Sequence, residues 1–161
     1  MTIAYIGLGA NLGKPQTKIQ QALAAIDGHA DIRLLDKSSL YKSKAIGLTG
    51  QPDYINAAAK LEMTLTPHSL LHELLTIETM LGRTRDGTHW GPRIIDIDLL
   101  YCGDQIINDE TLVLPHPEIL NRDFVLYPLA EMEPNFTLPD GRMLSDITNT
   151  ISEQGLKRIS P

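Results

Sequence analysis

Apolar residues recur along this chain with two periods, and the switches between them mark its elements. Thr2 to Gly9 reads as a strand, followed by a turn over Gly9-Ala-Asn-Leu-Gly13 and a helix opening near Pro15. Ile19, Ala22, Leu23 and Ile26 then fall at three- and four-residue steps on one face, and Gly28 suits a carboxyl-terminal cap. Ile32 to Lys42 reads as a second extended segment, Ser43 to Pro52 as a Gly-containing loop, and Tyr54 to Leu65 as a third strand. Thr66-Pro67 opens a second helix, with Thr as cap and Pro in the first turn. Its apolar stripe is Leu70, Leu71, Leu74, Ile77 and Leu81, and Gly82 ends it. After a polar loop, Ile94 to Cys102 is a fourth strand.

The order βαββαβ predicts an α+β fold with a ferredoxin-like core: a mostly antiparallel sheet flanked by helices. Beyond residue 103 the pattern predicts additions to that core. These are a short hairpin, the Pro-flanked segment Val113 to Pro117, a helix from about Arg122 to Met132, a Pro139-Asp-Gly turn and a last helix near Met143 to Ile151. No linker rich in Gly, Pro or Ser divides the chain, so residues 1–161 are expected to form one domain.

Composition narrows the function. The chain is 42% apolar and 21% charged, and no run approaches the ~20 apolar residues of a membrane span. The amino terminus enters a strand pattern without a signal-peptide profile, which predicts a cytoplasmic protein. Cys102 is the only cysteine, which excludes an internal disulfide, and its apolar neighbours predict a buried thiol. A net charge of −6 argues against a nucleic-acid partner. No lysine occurs between Lys60 and Lys157, and the arginines there are Arg83, Arg85, Arg93, Arg122 and Arg142. The cluster Arg83, Arg85 and Arg93 suits a small polyphosphate, since a guanidinium can hold two phosphate oxygens at once.

The strongest chemical signal is His89-Trp-Gly-Pro-Arg-Ile-Ile-Asp-Ile-Asp-Leu-Leu. Two carboxylates in an apolar strand are costly without partners. Asp96 and Asp98, two residues apart, project from one strand face roughly 6–7 Å apart. Hard carboxylate oxygens suit Mg²⁺, which takes its other ligands from water and substrate phosphates. A half-exposed edge strand would give the same spacing with both acids in solvent. The arginines upstream tip the balance towards a site, provided the strand begins after Pro92 so that alternation does not turn Arg93 away. Gly7-Leu-Gly-Ala-Asn-Leu-Gly lacks the Gly-Lys-Ser/Thr ending of a phosphate loop and reads as a tight turn needing positive φ. His116 lies between two prolines, and either a surface role or a phosphate or ribose contact fits it. Tyr54 and Phe124 could be core aromatics or two faces of a sandwich for a flat heterocycle.

Taken together, these segments resemble the 6-hydroxymethyl-7,8-dihydropterin pyrophosphokinases from the first strand to about residue 145. The family signature resembles His89-Trp-Gly-Pro-Arg-x-x-Asp-x-Asp-Leu-Leu at every defined position. Supporting blocks are Ile6-Gly-Leu-Gly-Ala-Asn-Leu-Gly, Gln51-Pro-Asp-Tyr-Ile-Asn, Ile77-Glu with Gly82-Arg-Thr-Arg, and Pro115-His-Pro with Asn121-Arg-Asp-Phe. The resemblance implies transfer of pyrophosphate from ATP to a hydroxymethyl dihydropterin in folate biosynthesis; with no second domain in the pattern, a monomer is expected. It implies two Mg²⁺ ions on Asp96 and Asp98, with Arg83 and Arg93 on the phosphates. Arg85, Trp90, Arg93, Leu99, His116 and Arg122 would surround ATP. The pterin would lie between Tyr54 and Phe124, matched by the Asn56 amide and close to Asp96. Ser43, Ala45 and Ile46 would form the pterin-side loop, where the family more usually has Thr and Pro in place of Ser43 and Ala45. A non-catalytic ligand-binding module and a two-metal phosphohydrolase are the other classes this pattern allows.

Overall fold

The computed structural model describes residues 1–43, 53–82, 94–119, 123–138, 141–148 and 156–160. In chain order its elements are β1 (Thr2–Ala10), α1 (Pro15–Asp27), β2 (Ile32–Lys37), β3 (Leu40–Ser43), β4 (Tyr54–Met63), α2 (Pro67–Met80) and β5 (Asp96–Cys102). They are followed by β6 (Ile107–Asn108), β7 (Val113–Leu114), α3 (Asp123–Met132), α4 (Leu144–Thr148) and β8 (Leu156–Ser160). The main sheet runs β5-β1-β4-β3-β8, β2 also pairs with β4, and all of these pairings are antiparallel. β4 thus lies between β1 and the β2–β3 run, which is the split βαβ arrangement the sequence pattern predicts.

Each face of the sheet buries its own apolar cluster. On one face the stripes of α1 (Ile19, Ala22, Leu23, Ile26) and α2 (Leu70, Leu74, Ile77) meet the inward residues of β1, β4 and β5. Leu70 and Leu74 have no exposed surface, and burial of each contributes about 1.5–3 kcal/mol. Thr66 starts α2 by accepting a hydrogen bond from the Ser69 N–H at 3.2 Å, with Pro67 in the first turn. Gly82 follows α2 at φ +103°, a conformation that strains residues with a Cβ. On the other face α3 contributes Val125, Leu126 and Leu129, which pack with Leu144 of α4, Tyr5, Leu100 and Tyr101.

One irregularity decides which face the acids occupy. Leu99 pairs with Ile6 and Tyr101 with Tyr5, so Leu100 is an extra residue in β5. Leu100 and Tyr101 therefore both join the α3 face, while Ile97 and Leu99 point into the α1–α2 core. Asp96 and Asp98 alternate with Ile97 and Leu99 and so face the α3 side.

The structure corrects several boundaries. The extended segment expected over 32–42 is two strands, broken at Ser38 and Ser39. Ser38 Oγ accepts from the Ala58 N–H at 2.9 Å and donates to the Ser39 carbonyl at 2.8 Å, which interrupts the ladder with β4. β4 stops at Met63, short of Leu65; the last helix opens at Leu144 and is described to Thr148, its expected continuation to residue 151 lying outside the described residues. β1 runs through Ala10, so Gly9 is a strand residue and only Gly13 of this glycine-rich run has positive φ, at +64°. β8 has no counterpart in the sequence reading; pairing with β3 makes it a strand.

Candidate active site

The register across three strands assembles the centre of the site. Asp96 pairs with Gly9, which pairs with Asn56; Asp98 pairs with Gly7, which pairs with Ala58. Ile55, Ala57 and Ala59 face the α1–α2 core, so Tyr54, Asn56 and Ala58 stand on the α3 side with the two acids. Strand spacing puts the Asp96 and Asn56 main chains roughly 10 Å apart, with Gly9 between them. Because Gly9 carries no side chain, β1 is a flat floor between the Asp96 carboxylate and the Asn56 amide, whereas at Gly7 the same face meets the Leu100 side chain, 3.7 Å from where a Cβ would stand. A Cβ at Gly9 would lie 3.0 Å from Asn56 Oδ1 and 4.0 Å from Tyr54 Cδ1, so the floor is also closely fitted at its Asn56 side. Asn56 is buried, whereas Asp96, Asp98 and Tyr54 are half-buried.

Phe124 reaches this side of the sheet from the first turn of α3, half-buried against the Leu100–Leu126 cluster. Pro128 lies inside α3 and cannot supply the N–H that would otherwise return to the Phe124 carbonyl. α3 is held at its other end by Glu131. That carboxylate accepts from the Ser39 N–H and Oγ, each at 2.9 Å, and from the Tyr41 hydroxyl at 2.8 Å. Tyr41 pairs with Asn56, so one acid ties α3 to the strand beside the amide. Farther along the same face Lys60 is bound to Glu133 at 2.8 Å, and this bond raises its pKa.

A cavity of about 330 Å³ opens at the outer edge of β5. Asp96, Asp98, Ile97 and Leu99 line one side, Leu71, Leu75 and Glu78 of α2 another, and Thr111 to Val113 with His116 and Pro117 close it. Its size falls in the range of small-molecule sites. The Leu99 side chain is buried in the core, so any contact with a ligand falls to its main chain. Ile97 N–H points to this edge, where Glu78 Oε2 accepts it at 2.7 Å, and ladder alternation turns the Leu99 N–H and C=O the same way. His116 donates its N–H to the Leu100 carbonyl at 3.0 Å. Its Nδ1 accepts from the Glu118 N–H at 3.1 Å, which assigns the ring proton to Nε2.

The β6–β7 hairpin, which carries Thr111 to Val113, is shaped by Asp109. Oδ1 accepts from the Thr111 N–H at 2.9 Å and the Leu112 N–H at 2.8 Å, and Oδ2 meets His68 Nε2 at 2.7 Å. These bonds, that to Thr111 foremost, hold the Asp109 carboxyl down at about 2.

Of the residues singled out in the sequence, the fold therefore brings Asp96, Asp98, Asn56, Tyr54 and Phe124 to one face and adds His116 and the Leu99 main chain at the cavity. Ser43 ends β3, paired with Tyr54 and Leu156. Ala45, Ile46, Arg83, Arg85, Trp90, Arg93 and Arg122 lie outside the described residues. β5 begins at Asp96, so strand alternation does not extend back to Arg93. Gly9 lies beside Asp96, and Glu78 and Thr111 line the cavity, but none of the three was singled out as a site residue. The legible signal was Glu78, an acid at a core-facing position of a helix stripe.

The donor set fits magnesium. The two carboxylates offer hard oxygens only, and among the described residues no group of three or more His, Cys, Asp or Glu side chains forms a cage. Mg²⁺ characteristically takes one or two carboxylates and completes its shell with water and substrate phosphates.

Residues 5–134 match the family model of 7,8-dihydro-6-hydroxymethylpterin-pyrophosphokinase (HPPK). The chain is 40% identical over 161 residues to the 2-amino-4-hydroxy-6-hydroxymethyldihydropteridine pyrophosphokinase of Haemophilus influenzae, covering 100% of both chains. It is 41% identical over 155 residues to the Pseudomonas aeruginosa enzyme of the same name, covering 96% of this chain and 95% of that one. The chain belongs to the HPPK family. Its fold superposes on a crystal structure of wild-type Plasmodium falciparum HPPK-DHPS with pterin and p-hydroxybenzoate at a TM-score of 0.77 and 15% identity. That match covers 99% of this chain but only 45% of the Plasmodium chain. Among the described residues no helix is long and apolar enough to cross a membrane.

Proposed function

We propose that this chain transfers a pyrophosphoryl group from ATP to 6-hydroxymethyl-7,8-dihydropterin, the family's reaction in folate biosynthesis, and that Asp96 and Asp98 hold the two Mg²⁺ ions it needs. The observation that carries this reading is the alignment of Asp96, Gly9 and Asn56 across adjacent strands, with the acids also opening on the cavity at the β5 edge. The pterin lies on the glycine floor, its amide-like edge on Asn56 and its ring between Tyr54 and Phe124. ATP occupies the cavity, with its base along the β5 edge at Leu99 and beside His116, and its phosphates directed to the acids. Arg83 and Arg93 take the phosphates, Arg85, Trp90 and Arg122 complete the nucleotide side, and Ser43, Ala45 and Ile46 complete the pterin side.

The pterin hydroxyl oxygen forms a bond to the β-phosphorus of ATP, and its proton passes to water. The bond from that phosphorus to the oxygen bridging it to the α-phosphate breaks, and AMP leaves. Bound magnesium would neutralise the charge that develops on the phosphate oxygens. The protein's own work is to align two substrates on fixed strands and to present fixed charge at the reacting centre. The reading extends to a cytoplasmic monomer without a nucleic-acid partner. A net charge of −6 disfavours a polyphosphate backbone, and both substrates are small molecules.

Incubation with ATP, Mg²⁺ and the hydroxymethyl dihydropterin tests the proposal through the nucleotide product. AMP formed only when pterin is present is the expected result. ADP or free phosphate would point to a phosphohydrolase, and no turnover to a binding module; either outcome overturns the assignment.

A further inference from the structure

Glu78 is the only carboxylate among the buried described residues, with 1% of its surface exposed. It stands on the stripe of α2 that Leu70, Leu74 and Ile77 use to pack against the sheet. An acid there is unfavourable unless its hydrogen bonds recover what burial costs. Its Oε2 accepts the Ile97 N–H at 2.7 Å, a short bond. Ile97 sits between Asp96 and Asp98, and over this stretch β5 is the edge of the sheet, paired with β1 on one side only. Gly7 and Gly9 opposite the acids present no side chain that could brace them from β1. The main chain at Ile97 is therefore the pivot that sets how the two carboxylates stand relative to each other, and Glu78 is what holds it on the open side.

We infer that Glu78 is a positioning residue: by clamping the Ile97 amide from α2 it fixes the spacing and direction of Asp96 and Asp98. This rests on the reading of those acids as the metal-holding pair. The role belongs to the accepting oxygen, so a glutamine, which keeps an oxygen acceptor on a side chain of the same length, retains it. A methionine fills a similar volume with only a weakly accepting thioether and loses it.

Three proteins test the inference: wild type, Glu78→Gln and Glu78→Met. In the ligand-free proteins, amide hydrogen exchange at Ile97 is followed by NMR. In turnover, the Mg²⁺ concentration giving half-maximal rate, kcat and the KM for pterin are measured. For Glu78→Met, Ile97 exchange and the Mg²⁺ requirement each rise by roughly tenfold or more, the scale of leaving a buried donor without its acceptor. Its kcat falls while its KM for pterin stays near the wild-type value. Glu78→Gln keeps Ile97 protected and its Mg²⁺ requirement close to wild type. Wild-type Mg²⁺ dependence in Glu78→Met overturns the inference. So does a folded Glu78→Gln protein with the raised Mg²⁺ requirement, and that arm decides the matter even if the methionine protein does not fold. A wild-type protein that forms no AMP defeats the assigned reaction itself. Normal wild-type turnover with an indifferent Glu78→Met protein defeats the positioning role alone.

Discussion

Gly9 and Asn56 face each other across the β1–β4 ladder so closely that a Cβ on Gly9 would stand 3.0 Å from Asn56 Oδ1. Asn56 is buried and has little room to retreat. Gly9→Ala should therefore displace the amide that recognises the pterin while leaving the nucleotide cavity at the β5 edge intact. The expected result is a KM for pterin raised by roughly tenfold or more, the scale of a disturbed buried hydrogen bond, with nucleotide affinity within about twofold of wild type. Equal loss of both affinities would contradict the division of the site between floor and cavity.

The hairpin that closes the cavity depends on Asp109, whose folded-state pKa of about 2 lies below the ordinary aspartate value near 3.9. A carboxyl depressed in this way stabilises the fold in full above about pH 4, and the contribution is lost as pH falls towards 2. Wild type should unfold at higher denaturant concentration than Asp109→Ala at pH 6, and the gap should close between about pH 4 and pH 2. A gap that persists unchanged at pH 2 would show that the Asp109 charge contributes nothing to it.

Cys102 is fully buried, and burial pushes its thiol pKa up to about 11. The thiolate is the reactive form, so at pH 8 only about one molecule in a thousand would carry it. A disulfide reagent should label the native protein over hours and the guanidinium-unfolded protein within minutes. Rapid native labelling at pH 8 would place Cys102 at the surface.

Much of the fold was legible because the two core-facing patterns are local. The α1 and α2 stripes, Pro15 and the Thr66 cap locate both helices, and alternation from Tyr54 to Met63 locates the central strand. What escaped depends on residues distant in the chain. The break at Ser38 and Ser39 involves Ala58 and the Glu131 carboxylate, 92 residues beyond Ser39. β8 is a strand by virtue of its pairing with β3, and its sequence Leu-Lys-Arg-Ile-Ser carries no alternating signal.

The site divides in the same way. Asp96 and Asp98 stand out because acids in an apolar strand demand a partner, whereas the role of Gly9 emerges only when β4 brings Asn56 beside it. Glu78 was visible as an acid in a helical stripe, but its partner is a main-chain N–H whose position no side-chain pattern encodes.

The decisive comparison is the turnover of Asp96→Ala and Asp98→Ala with ATP, Mg²⁺ and the hydroxymethyl dihydropterin, alongside thermal unfolding of both proteins. Each should lose roughly 10²–10³ in kcat, the scale of removing one preorganised group from a charged transition state, while melting close to wild type. Near-normal AMP production by either protein would contradict the assignment of these two acids to the metal-bound triphosphate.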